Sequence, residues 1–323
     1  MNFAFVLLSL FLINSPFLPK AENTRPTVIV VIGAEGTPEY GAQFARWAGL
    51  WQQAASKSGA EFTTIGLDEA DGSVDDRTKL QMKLAEESGK TDAALWLVMI
   101  GHGTYDGRTA KFNLRGPDVS ADDLTAFLAP LSRPIVIIDN TSSSSPFLST
   151  LSGQGRIIIT ATRSGFEQNY ARLGQYMAAV IADPQADLDK DGQTSLLEAF
   201  LTASHNVDEF YKANGRLATE HALLDDNGDA LGTPADWFAG IRPVRKAEGG
   251  TTLDGYRAHQ LHLLYSESEG KMPSELRARR DQLERQVLAL RDSKDQFPED
   301  EYFSKLEKLL CEIAMIYEQT ENK

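Results

Sequence analysis

Cysteine is almost absent from the sequence: of 323 residues, only Cys311 is a cysteine. One cysteine excludes a disulfide within the chain and every zinc site that needs several thiolates. Cys311 lies in an apolar helical pattern near the C-terminus, where a lone cysteine is typical of a small core hydrophobe rather than of a reactive thiol. The rest of the chain therefore has no thiolate chemistry to offer.

Positive charge is also scarce, because 32 Lys and Arg residues stand against 46 Asp and Glu residues and give a formal net charge of −14. Phosphate binding needs clustered Lys and Arg, so this balance argues against nucleic acid as a partner. An acidic surface fits a solvated or calcium-associated protein better.

Long apolar runs are missing beyond the N-terminus, so no later segment predicts a membrane span. The run at residues 3–13 is short for a span but suits the core of a signal peptide. Lys20 follows this run, and Ala21 offers a small residue for cleavage. We therefore predict a signal peptide over residues 1–21 and export to the periplasm or the extracellular space. An uncleaved leader would instead tether the protein to the membrane.

After the leader, β-branched apolar runs alternate with helical patterns. Strands are predicted at residues 27–33, 61–67, 93–101, 133–139 and 156–162. Helices are predicted at residues 38–58, 77–88, 120–130, 167–182 and 195–213. This alternation predicts an α/β domain over residues 24–245, built on a doubly wound, mostly parallel sheet.

The pattern changes after residue 245. Residues 246–272 have a linker-like composition, and residues 273–318 carry two apolar stripes at helical spacing. The stripes consist of Leu276, Leu283, Val287 and Leu290, and of Phe303, Leu306, Leu310, Ile313 and Tyr317. They predict an α-helical hairpin or coiled coil, which either caps the main domain or binds a partner or a second copy.

Polar loops follow three of the predicted strands. His102 lies between two glycines in "GHG" (101–103), "DNTSSSS" (139–145) follows the next strand, and "TATRSGFEQN" (160–169) follows the one after. Because the carboxyl ends of parallel strands share one edge of a sheet, we expect these loops to be neighbours. A histidine beside a hydroxyl is the minimum pair for acyl transfer.

Here the sequence resembles the caspase-like cysteine peptidases of clan CD, most closely the legumain type (C13). In that family one strand ends in His-Gly, which carries the catalytic histidine. The next strand ends in an acidic residue or Gln, followed by Ala and the nucleophilic Cys. The resemblance covers about residues 27–240 and implies a caspase-like fold. It implies that His102 is the family's histidine, Asp139 the acidic residue, and Thr141 the residue at the nucleophile position.

The sequence departs from this family because Thr141 stands where the family has cysteine. A hydroxyl needs a well-placed base, whereas a thiol is partly ionised at neutral pH. Ser142 is the alternative nucleophile, although a run of serines is also typical of an ordinary solvated turn. The sequence favours an inactive peptidase that binds a peptide or protein between residues 102–107 and 140–146. The alternative is a hydrolase that uses Thr141 or Ser142 with His102 as its base.

A calcium loop is the more specific motif. The segment "DLDKDGQTSLLE" (187–198) matches the EF-hand loop at positions 1, 3, 5, 6, 9 and 12. These positions hold Asp187, Asp189, Asp191, Gly192, Ser195 and Glu198. With the Gln193 carbonyl at position 7, the loop offers the oxygen ligands that Ca²⁺ prefers. It predicts a calcium site that stabilises the domain; the alternative is an aspartate-rich helix N-terminus without a metal.

A second aspartate-rich segment, residues 225–229, resembles the start of another calcium loop. No glutamate stands where position 12 would fall, so a turn with Asn-Gly at its tip is favoured over a second ion. His205 and His221 lack ligand spacing and are expected to be structural or exposed. Together these observations predict an exported calcium-binding protein that has a caspase-like peptidase fold and is catalytically inactive.

Overall fold

The computed structural model describes residues 25–68, 74–90, 93–245 and 253–321. The predicted signal peptide, with its apolar run, lies outside these residues. Among the helices of the described segments, none combines the length and the apolar character that a bilayer crossing needs.

The chain alternates strands and helices as the apolar pattern predicts. Within the described residues the strands are β1 (Thr27–Ile32), β2 (Glu61–Ile65), β3 (Leu95–Ile100), β4 (Gly103–Tyr105), β5 (Ala110–Phe112), β6 (Val119–Ser120), β7 (Ile135–Asp139), β8 (Arg156–Thr160), β9 (Leu223–Asp225), β10 (Thr233–Pro234), β11 (Phe238–Ala239) and β12 (Arg242–Pro243). The helices are α1 (Pro38–Ser58), α2 (Asp76–Glu86), α3 (Ala121–Leu128), α4 (Ser145–Leu151), α5 (Leu173–Val180), α6 (Leu196–Ala213), α7 (Tyr256–His259), α8 (Glu267–Lys271), α9 (Ser274–Asp292) and α10 (Glu299–Glu321).

The central sheet has seven strands in the order β10-β9-β8-β7-β3-β1-β2. The five strands from β2 to β8 are parallel to their neighbours, whereas β9 and β10 are antiparallel. Every residue of β1 and β3 is buried, because helices cover both faces of the sheet. The predicted fold class, a mostly parallel α/β sheet with C-terminal helices, is confirmed.

Two apolar clusters lie on the two faces of this sheet. One is formed with α1, α5 and α6 and contains the fully buried Trp51 and Trp96. The other is formed with α2, α3 and α4 around Phe112 and Phe147. Burial of a large apolar side chain stabilises a fold by about 1.5–3 kcal/mol, so these two layers hold the loops at the carboxyl edge in place.

Several segments differ from the sequence prediction, which contains neither α4 nor the strands β9 to β12. A small antiparallel sheet, β4-β5-β6, follows His102; its strands are only two or three residues long, too short to show periodicity. The helix predicted from residue 167 begins at Leu173. The residues before it are not helical: the N–H of Arg163 donates to the Glu167 side chain, and the N–H of Arg172 donates to the Glu220 side chain. Within the predicted linker, α7 and α8 are helical.

The C-terminal hairpin is present, but the buried residues of α10 lie one position before members of the predicted apolar stripe. Helix α10 buries Tyr302 and Ile316, which are two heptads apart. Three members of the predicted stripe are exposed: Phe303, Leu310 and Tyr317. Cys311 is exposed as well, so the expectation that it is a core hydrophobe is wrong: the heptad through Tyr302 turns it away from α9.

A buried ion pair closes the amino edge of the sheet. Arg133 and Glu87 both have fully buried side chains and lie 2.6 Å apart. Arg133 also donates to the Ala93 carbonyl at 2.6 Å, and the Thr27 hydroxyl donates to Glu87 at 2.9 Å. The pair therefore links α2 to β1 and to the segment before β7.

We expect Glu87→Gln to lower the free energy of unfolding by about 3–5 kcal/mol, because removal of one partner leaves a buried charge uncompensated. The matched control is Glu86→Gln: the Glu86 side chain is 63% exposed and its ion pair with Lys83 lies at the surface. This control should cost no more than about 1 kcal/mol. Urea unfolding measures both, and equal losses in the two variants would contradict the assignment.

Candidate functional site

His102 lies in the loop that follows β3, as predicted, and its ring is held by aromatic neighbours. The ring centroid lies 5.0 Å from that of Tyr40, 5.5 Å from Phe44 and 6.0 Å from Tyr170. The Nε2 atom lies 3.2 Å from the carbonyl oxygen of Glu35. The ring is therefore fixed by α1 and the loop before it, and its Nε2 has a backbone partner.

Thr141, at the predicted nucleophile position, is fully buried. Its hydroxyl donates to Asp139 Oδ1 at 2.6 Å, and its backbone N–H donates to the same oxygen at 3.0 Å. Burial raises the pKa of Asp139 to about 7, against the lowering effect of these two bonds. Among the described residues, the Thr141 hydroxyl makes no hydrogen bond to His102.

Ser142 is also engaged with backbone rather than with the histidine. Its hydroxyl donates to the Gly103 carbonyl at 3.2 Å and accepts the Gly103 N–H at 3.3 Å. A Cβ on Gly103 would lie 2.1 Å from the Ser142 carbonyl oxygen, so only glycine allows the two loops to approach this closely. The structure thus brings the predicted loops together, and Gly103 and Ser142 pack directly against each other.

The serine run is buried, unlike an ordinary solvated turn. Ser142, Ser143 and Ser144 are at most 4% exposed, and Ser143 has a φ of +59°. The Ser144 hydroxyl accepts the Thr162 N–H at 3.1 Å, and the Ser143 N–H donates to the Glu167 carbonyl at 2.9 Å. The buried loop between β7 and α4 is therefore bonded through both its backbone and its hydroxyls to residues 162–167.

The predicted calcium loop, residues 187–198, is called loop one below. Asp187 accepts N–H bonds from Lys190 at 2.7 Å and from Gly192 at 3.0 Å. Both of these residues have positive φ, +65° and +90°. Asp189 and Asp191 each accept from the residue two positions on, at 3.2 and 2.9 Å. One carboxylate oxygen from each of the three aspartates lies within 4.8 Å of the other two.

Glu198 ties the two ends of loop one together. Its Oε1 accepts the N–H groups of Leu188 at 2.6 Å and of Asp189 at 3.2 Å. Its Oε2 accepts the N–H and the hydroxyl of Ser195, both at 2.8 Å. Glu198 is fully buried, and Ser195 caps α6. The carboxylate at position 12 is thus bonded to positions 2, 3 and 9.

Residues 225–233, called loop two, repeat this arrangement. Asp225 accepts N–H bonds from Gly228 at 2.9 Å and from Ala230 at 3.2 Å, and these residues have φ of +81° and +64°. Asn227 and Asp229 each accept from the residue two positions on, both at 2.8 Å. The bonded positions and the positive φ angles fall at the same places as in loop one.

Asp254 takes the place of the missing glutamate in loop two. Its Oδ1 accepts the N–H groups of Asp226 at 2.9 Å and Asn227 at 3.2 Å, and its Oδ2 accepts the Thr233 hydroxyl at 2.6 Å. Counted from Asp225, these are positions 2, 3 and 9, as in loop one. Burial, together with the nearby carboxylates of Asp226 and Asp225, raises the pKa of Asp254 to about 8. Sequence reasoning missed Asp254 because it is remote from the loop in sequence.

The remaining predicted residues have ordinary partners. The Gln193 side chain accepts the Ser266 N–H at 3.1 Å. His221 Nδ1 lies 2.6 Å from Glu167, and His205 is exposed, as expected for structural or surface histidines.

Comparison with known proteins gives a likeness at the level of fold alone. No family model matches the sequence, and no curated protein matches it either. Caspase-1 from Spodoptera frugiperda is similar with 9% identity and a TM-score of 0.37, over 57% of this chain and 77% of the caspase. The Drosophila initiator caspase Dronc is similar with 14% identity and a TM-score of 0.44, over 64% of this chain and 81% of Dronc.

The buried Asp139 makes stability depend on pH. Its folded pKa of about 7 lies above the unfolded value, so its contribution to stability is present below about pH 4 and is lost as the pH rises through 7. Asp139→Asn keeps an oxygen acceptor for Thr141 but cannot ionise. Between pH 4 and 8 the wild type should therefore lose up to about 4 kcal/mol relative to this variant.

Urea unfolding across this pH range measures the difference. Asp122→Asn, at an exposed aspartate of α3, should give a curve parallel to the wild type. A constant difference between wild type and Asp139→Asn would show that Asp139 ionises normally in the fold.

Proposed function

We propose that this chain is an exported calcium-binding protein on a caspase-like fold, whose peptidase centre is inactive and which acts by binding. The observation that carries the proposal is the convergence of Asp187, Asp189 and Asp191 within 4.8 Å in a loop of EF-hand sequence. Three carboxylates so close together repel one another unless a cation is bound.

The residues of loop one fit calcium. Asp187, Asp189, Asp191, the Gln193 carbonyl and Glu198 would supply the oxygen ligands, and Ser195 stands at the position that often acts through water. Calcium would supply the positive charge that the carboxylates lack, and would join the start of α6 to the loop before it. This chemistry supports a stabilising role.

The matched framework of loop two extends the proposal to a second ion. Asp225, Asn227, Asp229 and Asp254 correspond to positions 1, 3, 5 and 12, and Thr233 stands at position 9. Asp225 and Asp254 are each only 1% exposed. Buried carboxylates are costly unless they are paired or coordinate a metal. We therefore interpret this segment as a cation-binding loop whose last ligand, Asp254, comes from outside the loop, rather than as the simple turn that the sequence favours.

The contacts around His102 support an inactive centre. Acyl transfer needs a hydroxyl within about 2.6–3.2 Å of the base. The Thr141 hydroxyl bonds to Asp139, and the Ser142 hydroxyl bonds to Gly103. The rival, a hydrolase with Thr141 or Ser142 as nucleophile, would have to break these bonds first. The N-terminal apolar run supports export, to a compartment where millimolar calcium suits weaker sites.

Calcium should stabilise the protein by mass action. At a concentration 100-fold above the dissociation constant, each site contributes about 2.7 kcal/mol, which for a domain of this size raises Tm by about 5–10 °C. Titration calorimetry of the EGTA-treated protein should give two sites. Asp189→Asn should weaken one of them and Asp229→Asn the other.

Asp122→Asn, which removes the same charge at an exposed residue of α3 outside both loops, serves as the control and should bind as the wild type does. Melting that is unchanged by EGTA, with no heat of calcium binding, would remove the calcium proposal. A single site that is lost in Asp189→Asn but kept in Asp229→Asn and Asp254→Asn would restrict it to loop one.

The peptidase centre should not turn over substrate. We expect purified protein with calcium to leave a diverse pool of fluorogenic peptides uncut, at the same background as His102→Ala, Thr141→Ala and Ser142→Ala. Cleavage that disappears in His102→Ala and in one hydroxyl variant would establish the rival hydrolase instead.

A further inference from the structure

The segment between the calcium loops and the helical hairpin is bonded to both. It comprises residues 253–272 and is called the connecting segment below. It contains α7 and α8, and its Ala258 and Leu263 belong to the apolar cluster on the α6 face of the sheet. The buried apolar residues of the hairpin belong to neither cluster of the sheet. The hairpin is therefore attached to the domain largely through the connecting segment.

Loop one holds the middle of the connecting segment. The N–H of Leu196, at the end of the loop, donates to the Leu261 carbonyl at 2.8 Å. His259 Nε2 lies 3.0 Å from the carboxylate of Asp189, itself one of the proposed ligands. A change in the position of loop one is thus transmitted directly to the residues that follow α7.

Loop two holds the start of the same segment. Asp254 is both the proposed last ligand and the segment's second described residue. Asp226, between two proposed ligands, accepts the N–H groups of Arg257 and Ala258, both at 2.8 Å, and so caps α7. Asp226 is 2% exposed, and burial raises its pKa. Asp226 therefore fixes where α7 begins, and Asp254 ties the residues just before α7 to loop two.

The far side of the connecting segment holds α9. Gln260 donates to the Asp281 carbonyl at 2.9 Å and to the Glu284 carboxylate at 3.0 Å. The Arg285 guanidinium donates back to the Gln260 side-chain oxygen at 2.5 Å. Glu269 of α8 forms a buried ion pair with Arg280. These contacts place α9, and α9 in turn places α10.

We propose that calcium at the two loops controls whether the C-terminal hairpin is docked on the α/β domain. This inference rests on the proposed calcium binding. Without calcium, repulsion among Asp187, Asp189 and Asp191 loosens loop one, and loop two loses the ion that would join Asp254 to the loop. The contacts that hold the connecting segment on both sides of α7 are then weakened. The hairpin is then released as a unit, because it shares no apolar cluster with the sheet. Calcium binding restores docking.

Hydrogen exchange on the full-length chain, in calcium and in EGTA, tests the proposal, with calorimetry run on the same samples. Amide exchange in α9 and α10 should be at least about tenfold faster in EGTA than in calcium, and in EGTA it should be faster than exchange in β3, which reports global unfolding. A dye on Cys311, the only cysteine and exposed on α10, gives a second readout. Its anisotropy should fall when the hairpin is released.

The double variant Gln260→Ala/Glu269→Ala breaks the link to α9 without touching a proposed ligand. Its hairpin should exchange as fast in calcium as that of the wild type in EGTA. Because the coupling of two equilibria is reciprocal, its calcium affinity should fall by about the factor by which calcium favours docking, while both sites still bind. The matched control is Gln286→Ala/Glu275→Ala, at two exposed positions of α9, which should behave as the wild type does.

The outcomes separate the two proposals. Normal calcium binding with hairpin exchange that is the same in calcium and EGTA would overturn the docking inference and leave the calcium proposal standing. Absence of calcium binding would overturn both. Slow exchange in calcium for the Gln260→Ala/Glu269→Ala variant would also overturn the inference, because docking would then not depend on the connecting segment.

Discussion

Burial of the parallel strands on both faces is the constraint on which the rest of the structure depends. Every residue of strands β1, β3 and β7 is buried, because the side chains of these strands pack against helices on both faces of the sheet. Polar chemistry is therefore confined to the ends of the strands. At the carboxyl edge, the loops carrying His102 and Thr141 meet because β3 and β7 are adjacent and parallel.

The edge loop that follows β7 is itself buried, and that explains its composition. A buried loop must satisfy its backbone N–H and carbonyl groups without a helix or a ladder. In this loop Asp139 accepts the Thr141 N–H, the Glu167 carbonyl accepts the Ser143 N–H, and the Thr162 hydroxyl accepts the Ser145 N–H. The Ser142 and Ser144 hydroxyls in turn accept N–H groups of the neighbouring loops, from Gly103 and Thr162. The Thr141 hydroxyl likewise has a partner within the protein, because it donates to Asp139.

Most of the fold could be predicted from the sequence, because a continuous β-branched run or a 3.6-residue apolar period is a local signal. The EF-hand spacing of loop one is equally local, and its aspartates do converge. What could not be predicted depends on residues brought together by folding. Asp254 is distant from loop two in sequence and bonds to it only in the fold. The buried face of α10 likewise depends on how α10 packs against α9.

The equivalence of the two loops suggests why one of them needs a distant carboxylate. In loop one the chain continues into α6, so Glu198 can cap the helix and bind the loop from the helix's first turn. In loop two the chain enters β10, where Thr233 pairs with Leu224 and no helical turn can return a side chain. A carboxylate from elsewhere must then bond positions 2, 3 and 9. Because that carboxylate belongs to the segment leading to the hairpin, the topology of the sheet edge itself links loop two to the C-terminal helices.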